Sequence, residues 1–140
     1  MTYTNVMKFV DIAKITSALK KAKAMSKLSD HPDYRIGAVI VRQGIIISSA
    51  WNHGKKSHTY IKKYGQDFNK TLHAEIHSIL KVKNKYLLKG ATLVTYREKK
   101  DGTLGMSRPC PMCYELIRKS GIKRIQFTID NGIKEEIVVF

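Results

Sequence analysis

The sequence predicts an α/β fold in one domain over residues 1–140, a mixed five-stranded sheet with helices packed on it. Apolar residues at helical spacing alternate along the chain with short β-branched runs, in the order α-β-β-α-β-α-β-β. Tight-turn sequences, Gln43-Gly44 and Asn131-Gly132, join two of the strand pairs. With 140 residues, 43% of them apolar, the chain can bury a core, and no apolar run reaches the roughly 20 residues of a membrane-spanning helix.

The first predicted elements are a long helix and a β-hairpin. The helix is predicted over residues 6–28, where apolar side chains recur at helical spacing: Ile12, Ile15, Leu19, Ala22 and Met25. Pro32 restricts the residue before it, so the helix has ended by this point. The β-branched runs at residues 34–42 and 45–52 flank Gln43-Gly44 and therefore predict two strands joined by a tight turn.

The second half of the chain predicts two more helices and three more strands. These are a helix from residue 73 to about residue 84, a strand over 91–98, a helix over 109–121, and strands over 122–129 and 135–140. Pro109 is predicted at the first position of its helix, where a missing N–H costs nothing, and Gly121 is predicted to end it. The polar segment 53–70 is long enough to suggest a functional loop.

Charge and cysteine content limit the classes of partner and compartment. The net charge of +15 favours phosphate-bearing partners, nucleic acid among them, although an ordinary solvated surface explains the scattered lysines equally well. The only two cysteines form one C-x-x-C, so we expect a reducing, cytoplasmic compartment and a metal or redox role rather than a disulfide scaffold. No secretory signal is visible at the N-terminus, and no membrane partner is expected.

The beginnings of two predicted helices contain the residues that could bind a metal or act in catalysis. His73, Glu75 and His77 lie on an amphipathic helix, where buried polar groups need partners. Cys110 and Cys113 fall in the first turn of another helix, whose N-terminus favours thiolates. Two thiolates are half of a zinc site and a histidine would be a third ligand, whereas the C-x-x-C alone favours a redox pair or half of a structural zinc clip over catalysis.

His77 offers an alternative within the same helix. If it joined His73 and both cysteines, the zinc site would be closed and structural. His77 lies one turn deeper, about 6 Å along the helix axis, so we expect it to pack near the site rather than bind the metal.

The segments H73-A-E75 and P109-C-P-M-C113 together resemble the H-x-E…P-C-x-x-C signature of the zinc-dependent cytidine and deoxycytidylate deaminase superfamily. The resemblance implies a three-layer sandwich with helices on both faces of the sheet and an antiparallel C-terminal strand hairpin. It also implies that His73, Cys110 and Cys113 hold Zn²⁺, while Glu75 moves protons between a water molecule and the base.

The same resemblance suggests substrate contacts and an activity. It places Asn52 on the sugar and the backbone around Ala74 and Ser107 at the edge of the base. The expected function is hydrolytic deamination of a cytosine nucleoside or nucleotide, that is, cytidine, deoxycytidine or their phosphates, with release of ammonia. A small-molecule substrate and a homo-oligomer are the partners that the family implies.

Two alternatives remain open. One is a deaminase acting on single-stranded DNA or RNA, on cytosine or, as in tRNA adenosine deaminases, on adenine; the P-C-P-M-C sequence and the net charge of +15 favour it. The aromatic residues among lysines in segment 53–70 fit a single-strand platform, but they fit a short helix that packs one apolar face somewhat better. The C-terminal hairpin instead resembles members that act on free cytidine, blasticidin-type members and some toxin-type members. The second alternative is a catalytically silent, zinc-stabilised binding domain.

Overall fold

The computed structural model describes residues 7–9, 17–53 and 73–139. Its elements are β1 (Met7–Phe9), α1 (Ser17–Ser26), β2 (Ile36–Arg42), β3 (Ile45–Trp51), α2 (Ala74–Lys81), a 3₁₀ helix (Lys85–Leu88), β4 (Thr92–Arg97), α3 (Pro111–Ser120), β5 (Arg124–Ile129) and β6 (Gly132–Ile137). The five predicted strands are therefore present, and the short β1 adds a sixth to the described sheet.

The strands form one mixed sheet in the order β1-β6-β5-β4-β2-β3. β4 and β5 are parallel, and the other neighbouring strands are antiparallel. The predicted antiparallel hairpin at the C-terminal end is confirmed, with Ile129 opposite Gly132. The parallel pair matters most for the site, because the chain between β4 and β5 contains α3 and both cysteines.

The hairpin of β2 and β3 confirms the turn predicted at Gln43-Gly44. Both residues have positive φ, 49° and 77°, which is the requirement of a type I′ turn. The register shifts between Ile40 and Val41, so the pair contains one β-bulge.

The N-terminal helix predicted over residues 6–28 is wrong at its beginning. Residues 7–9 form β1, in which Lys8 lies opposite Glu135 of β6, and the described helix runs over Ser17–Ser26; residues 10–16 lie outside the described residues. Helical periodicity uses only local positions, whereas β1 exists through backbone pairing with a strand at the other end of the chain.

Helices cover both faces of the sheet, as the three-layer prediction requires. On one face, α1 packs against β2 and β4 through buried residues that include Ala18, Leu19, Ala22, Val39 and Val94. On the other face, the larger core combines α2, α3 and the sheet through Ala74, Ile79, Ile117, Ile40, Leu93 and Phe127. None of the described helices is long and apolar enough to cross a bilayer.

Candidate functional site

The beginning of α2 places one imidazole and one carboxylate on the buried side of the helix. His73 is the N-cap, with extended backbone angles of φ −77° and ψ 149°, and its side chain makes no capping hydrogen bond. Glu75 lies in the first turn, and Ile76 and Ile79 bury the helix against the core. The helix ends at Lys81 rather than near Asn84, because Val82 is already extended.

The beginning of α3 corrects the prediction that Pro109 is its first residue. Pro111 occupies that position, and Cys110 is the extended N-cap at φ −68° and ψ 166°. A residue that precedes proline is disfavoured in the helical region, which accounts for the extended backbone of Cys110 before Pro111. Gly121 ends α3 at φ 91°, as predicted.

The structure brings His73, Cys110 and Cys113 together. His73 Nδ1 lies 3.2 Å from Cys113 Sγ and 3.6 Å from Cys110 Sγ, and all three donor atoms lie within 4.8 Å of one another. Zinc bonds of about 2.3 Å to sulfur and 2.0–2.1 Å to nitrogen, at tetrahedral angles, separate a nitrogen from a sulfur donor by about 3.6 Å. The three side chains therefore fit Zn²⁺, and among the described residues they form the one such cluster.

The two cysteines have unequal proton affinity in this arrangement. The pKa of Cys110 is lowered to about 4, mainly because the Cys113 thiol and His73 hydrogen-bond to its sulfur. The pKa of Cys113 is raised, because it is the hydrogen-bond donor to Cys110 and because it is buried. A metal ion that binds both sulfurs therefore has to displace the proton from Cys113.

Glu75 is a buried carboxyl group beside the three donors, with 4% of its surface exposed. Burial raises its pKa above the ordinary range, although the positive charge of His73 acts in the opposite direction. Its Oε1 is buried and has no hydrogen-bond partner within the described part of the chain. A carboxyl group in such surroundings is suited to accepting and releasing a proton near neutral pH.

His73, Glu75 and Cys110 line a cavity of about 170 Å³. Its lining residues are His31, Tyr34, Ile36, Asn52, His73, Ala74, Glu75, Arg108 and Cys110. The predicted substrate residues Asn52 and Ala74 are thus in the cavity wall. Asn52 also holds that wall together, since its Oδ1 accepts from Ile36 N at 2.8 Å and its Nδ2 donates to the Tyr34 carbonyl.

Ser107 is not part of this lining. Its Oγ accepts a hydrogen bond from Thr128 N at 2.8 Å and lies 3.0 Å from Thr95 Oγ1. Its own N–H donates to the Thr128 carbonyl at 3.0 Å, and its carbonyl accepts from Thr95 Oγ1 at 2.8 Å. Ser107 therefore ties the segment before Cys110 to β4 and β5, and its contact with a base stays a prediction.

Sequence reasoning missed His31, Tyr34 and Arg108 as residues of the cavity wall. His31 Nδ1 accepts from the N–H groups of Asp33 at 3.1 Å and Tyr34 at 2.9 Å, so a neutral His31 carries its proton on Nε2. Arg108 donates two hydrogen bonds to Glu136, at 2.9 and 2.7 Å. No local pattern marks these residues, because the fold alone brings them to the cavity.

The ring of His77 lies near two other aromatic side chains and is not one of the zinc donors. Its ring centroid lies 5.2 Å from that of His53 and 6.3 Å from that of Trp51, and it is absent from the cluster of zinc donors in the described residues. The arrangement gives no support to a closed site with two histidines.

The comparisons with known proteins agree with this geometry. Residues 12–129 match the family described as the cytidine and deoxycytidylate deaminase zinc-binding region. No curated protein matches the chain.

Solved structures of similar fold include a dCMP deaminase and a cytidine deaminase. The chain is 25% identical to dCMP deaminase from the cyanophage S-TIM5 in its apo form, with a TM-score of 0.55, over 78% of this chain and 77% of that chain. The same phage enzyme in complex with dCMP and dUMP aligns at 21% identity and a TM-score of 0.55, over 78% and 76% of the two chains. Cytidine deaminase from Burkholderia pseudomallei is 15% identical with a TM-score of 0.62, over 87% of this chain and 91% of that chain, a likeness of fold alone.

Proposed function

Because the chain belongs to the cytidine and deoxycytidylate deaminase family, we propose that it hydrolyses the exocyclic amine of cytosine in a nucleoside or nucleotide. The observation that carries the proposal is the buried carboxyl group of Glu75, whose Oε1 lacks a partner among the described residues and which lines the same cavity as His73 and Cys110. The phage relative that binds dCMP and dUMP supports a cytosine nucleotide as one member of the substrate class.

The reaction replaces the amine at C4 of cytosine by oxygen from water and releases ammonia. His73, Cys110 and Cys113 would hold Zn²⁺, which would supply the Lewis acidity that makes a water molecule reactive at neutral pH. Glu75 would accept a proton from the attacking water and deliver it to the ring nitrogen beside C4. The same carboxylate would then take the proton of the hydroxyl group now on C4 and pass it to the amine, which leaves as ammonia as the C4 carbonyl forms.

The wall of the cavity positions the base and the sugar. The N–H of Ala74 belongs to the first turn of α2, where backbone donors have no partner within the helix, so it can donate to an acceptor on the base. Asn52 keeps one Nδ2–H for a sugar hydroxyl after its two contacts with the backbone. The backbone of Ser107 remains the third proposed contact.

A substrate panel with two glutamate variants tests this function. Wild type, Glu75→Ala and Glu115→Ala are incubated with cytidine, deoxycytidine, their monophosphates and cytosine- or adenine-containing single strands, and ammonia is measured. We expect wild type to release ammonia from free cytosine compounds and Glu75→Ala to lose about 10²- to 10⁴-fold in kcat. Glu115 is the control, because it forms an ion pair with Arg118 on α3 and does not line the cavity.

The zinc content of each variant separates the alternatives. If wild type carries one zinc ion per chain and releases no ammonia from any compound, the protein is a zinc-stabilised binding domain and the proposal is wrong. Turnover restricted to single strands supports the nucleic-acid alternative instead.

We also propose that the protein works in the reducing cytoplasm and as a homo-oligomer. Both cysteines are free thiols in the structure, which a zinc site requires and which an oxidising compartment would endanger. Light scattering on the zinc-loaded protein tests the proposed homo-oligomer, and a monomer at micromolar concentration contradicts it.

A further inference from the structure

Tyr34 is an exposed aromatic residue in the wall of the cavity. Its exposed fraction is 52%, although its backbone is fixed on both sides. Its N–H donates to His31 Nδ1 at 2.9 Å, and its carbonyl accepts from Asn52 Nδ2. A ring whose backbone is held in place at the edge of a cavity offers a rigid face on which a flat ligand can stack.

A guanidinium group lies against the ring of Tyr34. Arg97 Cζ is 4.2 Å from the ring centroid, and Gly105 packs closely against the same side chain, since a Cβ at Gly105 would lie 3.2 Å from three atoms of Arg97. Arg97 makes no ion pair within the described residues, and its buried Nε has no hydrogen-bond partner among them. The ring is therefore supported by a cation whose charge is not cancelled by a neighbouring carboxylate.

A basic cleft of about 380 Å³ adjoins the cavity. Its wall contains four basic residues, Lys27, Arg35, Lys99 and Lys100, and two acidic ones, Asp33 and Glu98. Asp33 is 3.8 Å from Lys100 and both are well exposed, so this pair offsets little of the positive charge. The loop 31–35 separates the two spaces, because His31 and Tyr34 line the cavity while Pro32, Asp33 and Arg35 line the cleft.

We propose that Tyr34 and the basic cleft together bind single-stranded nucleic acid beside the cavity. Single-strand binders combine an aromatic platform, on which a base stacks, with a positively charged groove for the phosphates, and both parts occur here side by side. A net charge of +15 raises the rate of encounter with any polyanion, but only a strand with unpaired bases uses the aromatic ring. This binding function goes beyond turnover of a free nucleoside and does not depend on the chemistry of Glu75.

The ring of Tyr34 is tested by anisotropy of a fluorescein-labelled 12-nucleotide single strand, as DNA and as RNA, with the zinc-loaded protein. We expect Tyr34→Ala to raise Kd by about 5- to 150-fold, the range of one base stacked on an aromatic side chain, and Tyr34→Phe to retain the affinity. Tyr86→Ala is the matched control. Tyr86 is 64% exposed and has Lys89 Nζ 5.1 Å from its ring centroid, but it lies outside the cavity and the cleft. We expect its Kd to equal that of wild type.

The cleft is tested by the salt dependence of the same Kd. Lys27→Gln combined with Lys100→Gln is expected to reduce the slope of log Kd against log salt by about 1.4, that is, about 0.7 for each lost phosphate contact. Lys89→Gln combined with Lys119→Gln removes the same charge from a separate cavity, lined by residues of α2, the 3₁₀ helix and α3, and is expected to leave the slope unchanged. Equal effects of the two pairs, or equal Kd values for Tyr34→Ala and Tyr86→Ala, overturn the proposal, as does duplex DNA or heparin binding that is as tight as single-strand binding.

Glu75→Ala is expected to bind the strand as wild type does while it loses ammonia release, because strand binding does not use this carboxylate. Strand binding that depends on Tyr34, in wild-type protein that releases no ammonia from any substrate, refutes only the proposed function. Ammonia release from free nucleotides without any strand binding refutes only this inference.

Discussion

Replacement of Gly37 by alanine tests how α1 is seated on the sheet. A Cβ at Gly37 would lie 1.9 Å from Ala22 O and 2.6 Å from Ser26 N, both backbone atoms of α1. Ordinary contacts between such atoms are above about 3.3 Å, so the helix would have to move by more than about 1 Å. Overpacking typically costs about 1–3 kcal/mol, and backbone atoms cannot rotate away, so we expect a loss of about 3 kcal/mol.

Gly44 provides the control for this loss. It has φ of 77° and no atom within 4 Å of its would-be Cβ, so Gly44→Ala adds only the cost of a left-handed backbone, about 1 kcal/mol. Urea unfolding followed through Trp51, the single tryptophan, gives both free energies of unfolding. The midpoint of thermal unfolding of Gly37→Ala should also lie about 10 °C below that of wild type. If Gly37→Ala loses no more than Gly44→Ala, α1 does not pack on β2 as described.

Three further predictions concern the metal site and its support. Cys113→Ala should reduce bound zinc, measured by elemental analysis, well below one ion per chain, while His77→Ala should keep it. In the metal-free protein at pH 6, iodoacetamide should modify Cys110 faster than Cys113, as measured by peptide mapping. The lowered pKa of Cys110, about 4, leaves its sulfur as thiolate at this pH, whereas the pKa of Cys113 is raised. Bound zinc should protect both cysteines. Thr128→Val should lose about 2 kcal/mol in urea, since buried Thr128 Oγ1 bonds the backbone at Arg97 and Gly105, and Thr128→Ser should not.

The parts of the fold that sequence predicts well are those with local causes. Gln43-Gly44 can be recognised because a type I′ turn needs two residues of positive φ, and Gly121 because a helix end favours the left-handed region. The pairing of β1 with β6 could not be predicted, because its cause is a partner strand at the far end of the chain. The start of α3 was missed for a local reason, since Pro109 and Pro111 both suit a first helical position and only the restriction on Cys110 decides between them.

The candidate site divides in the same way. His73, Cys110 and Cys113, with Glu75 two residues after His73, could be predicted because H-x-E and P-C-x-x-C together resemble a family signature. His31, Tyr34 and Arg108 could not, because each reaches the cavity from a loop whose course depends on the assembled sheet. The prediction that Ser107 contacts a base stays untested, and its hydroxyl is already engaged with Thr95 and Thr128.

The surroundings of Glu75 bear on whether the site is catalytic or merely structural. The carboxyl group of Glu75 is only 4% exposed, and its Oε1 lacks a partner among the described residues. Burial of such a group lowers the free energy of unfolding, and a purely structural zinc site, which needs only the three donors, gains nothing from it. Because burial raises its pKa, this unfavourable contribution is absent below the ordinary pKa of 4.5 and grows as the pH rises and the group ionises.

Glu75→Gln should therefore be at least as stable as wild type in urea at pH 7, with the difference shrinking toward pH 4.5, while ammonia release falls. A glutamate that stabilised a silent zinc domain would show the reverse: lower stability in the variant at pH 7. The sign of that one difference in unfolding free energy distinguishes a carboxylate kept for proton transfer from one kept for the fold.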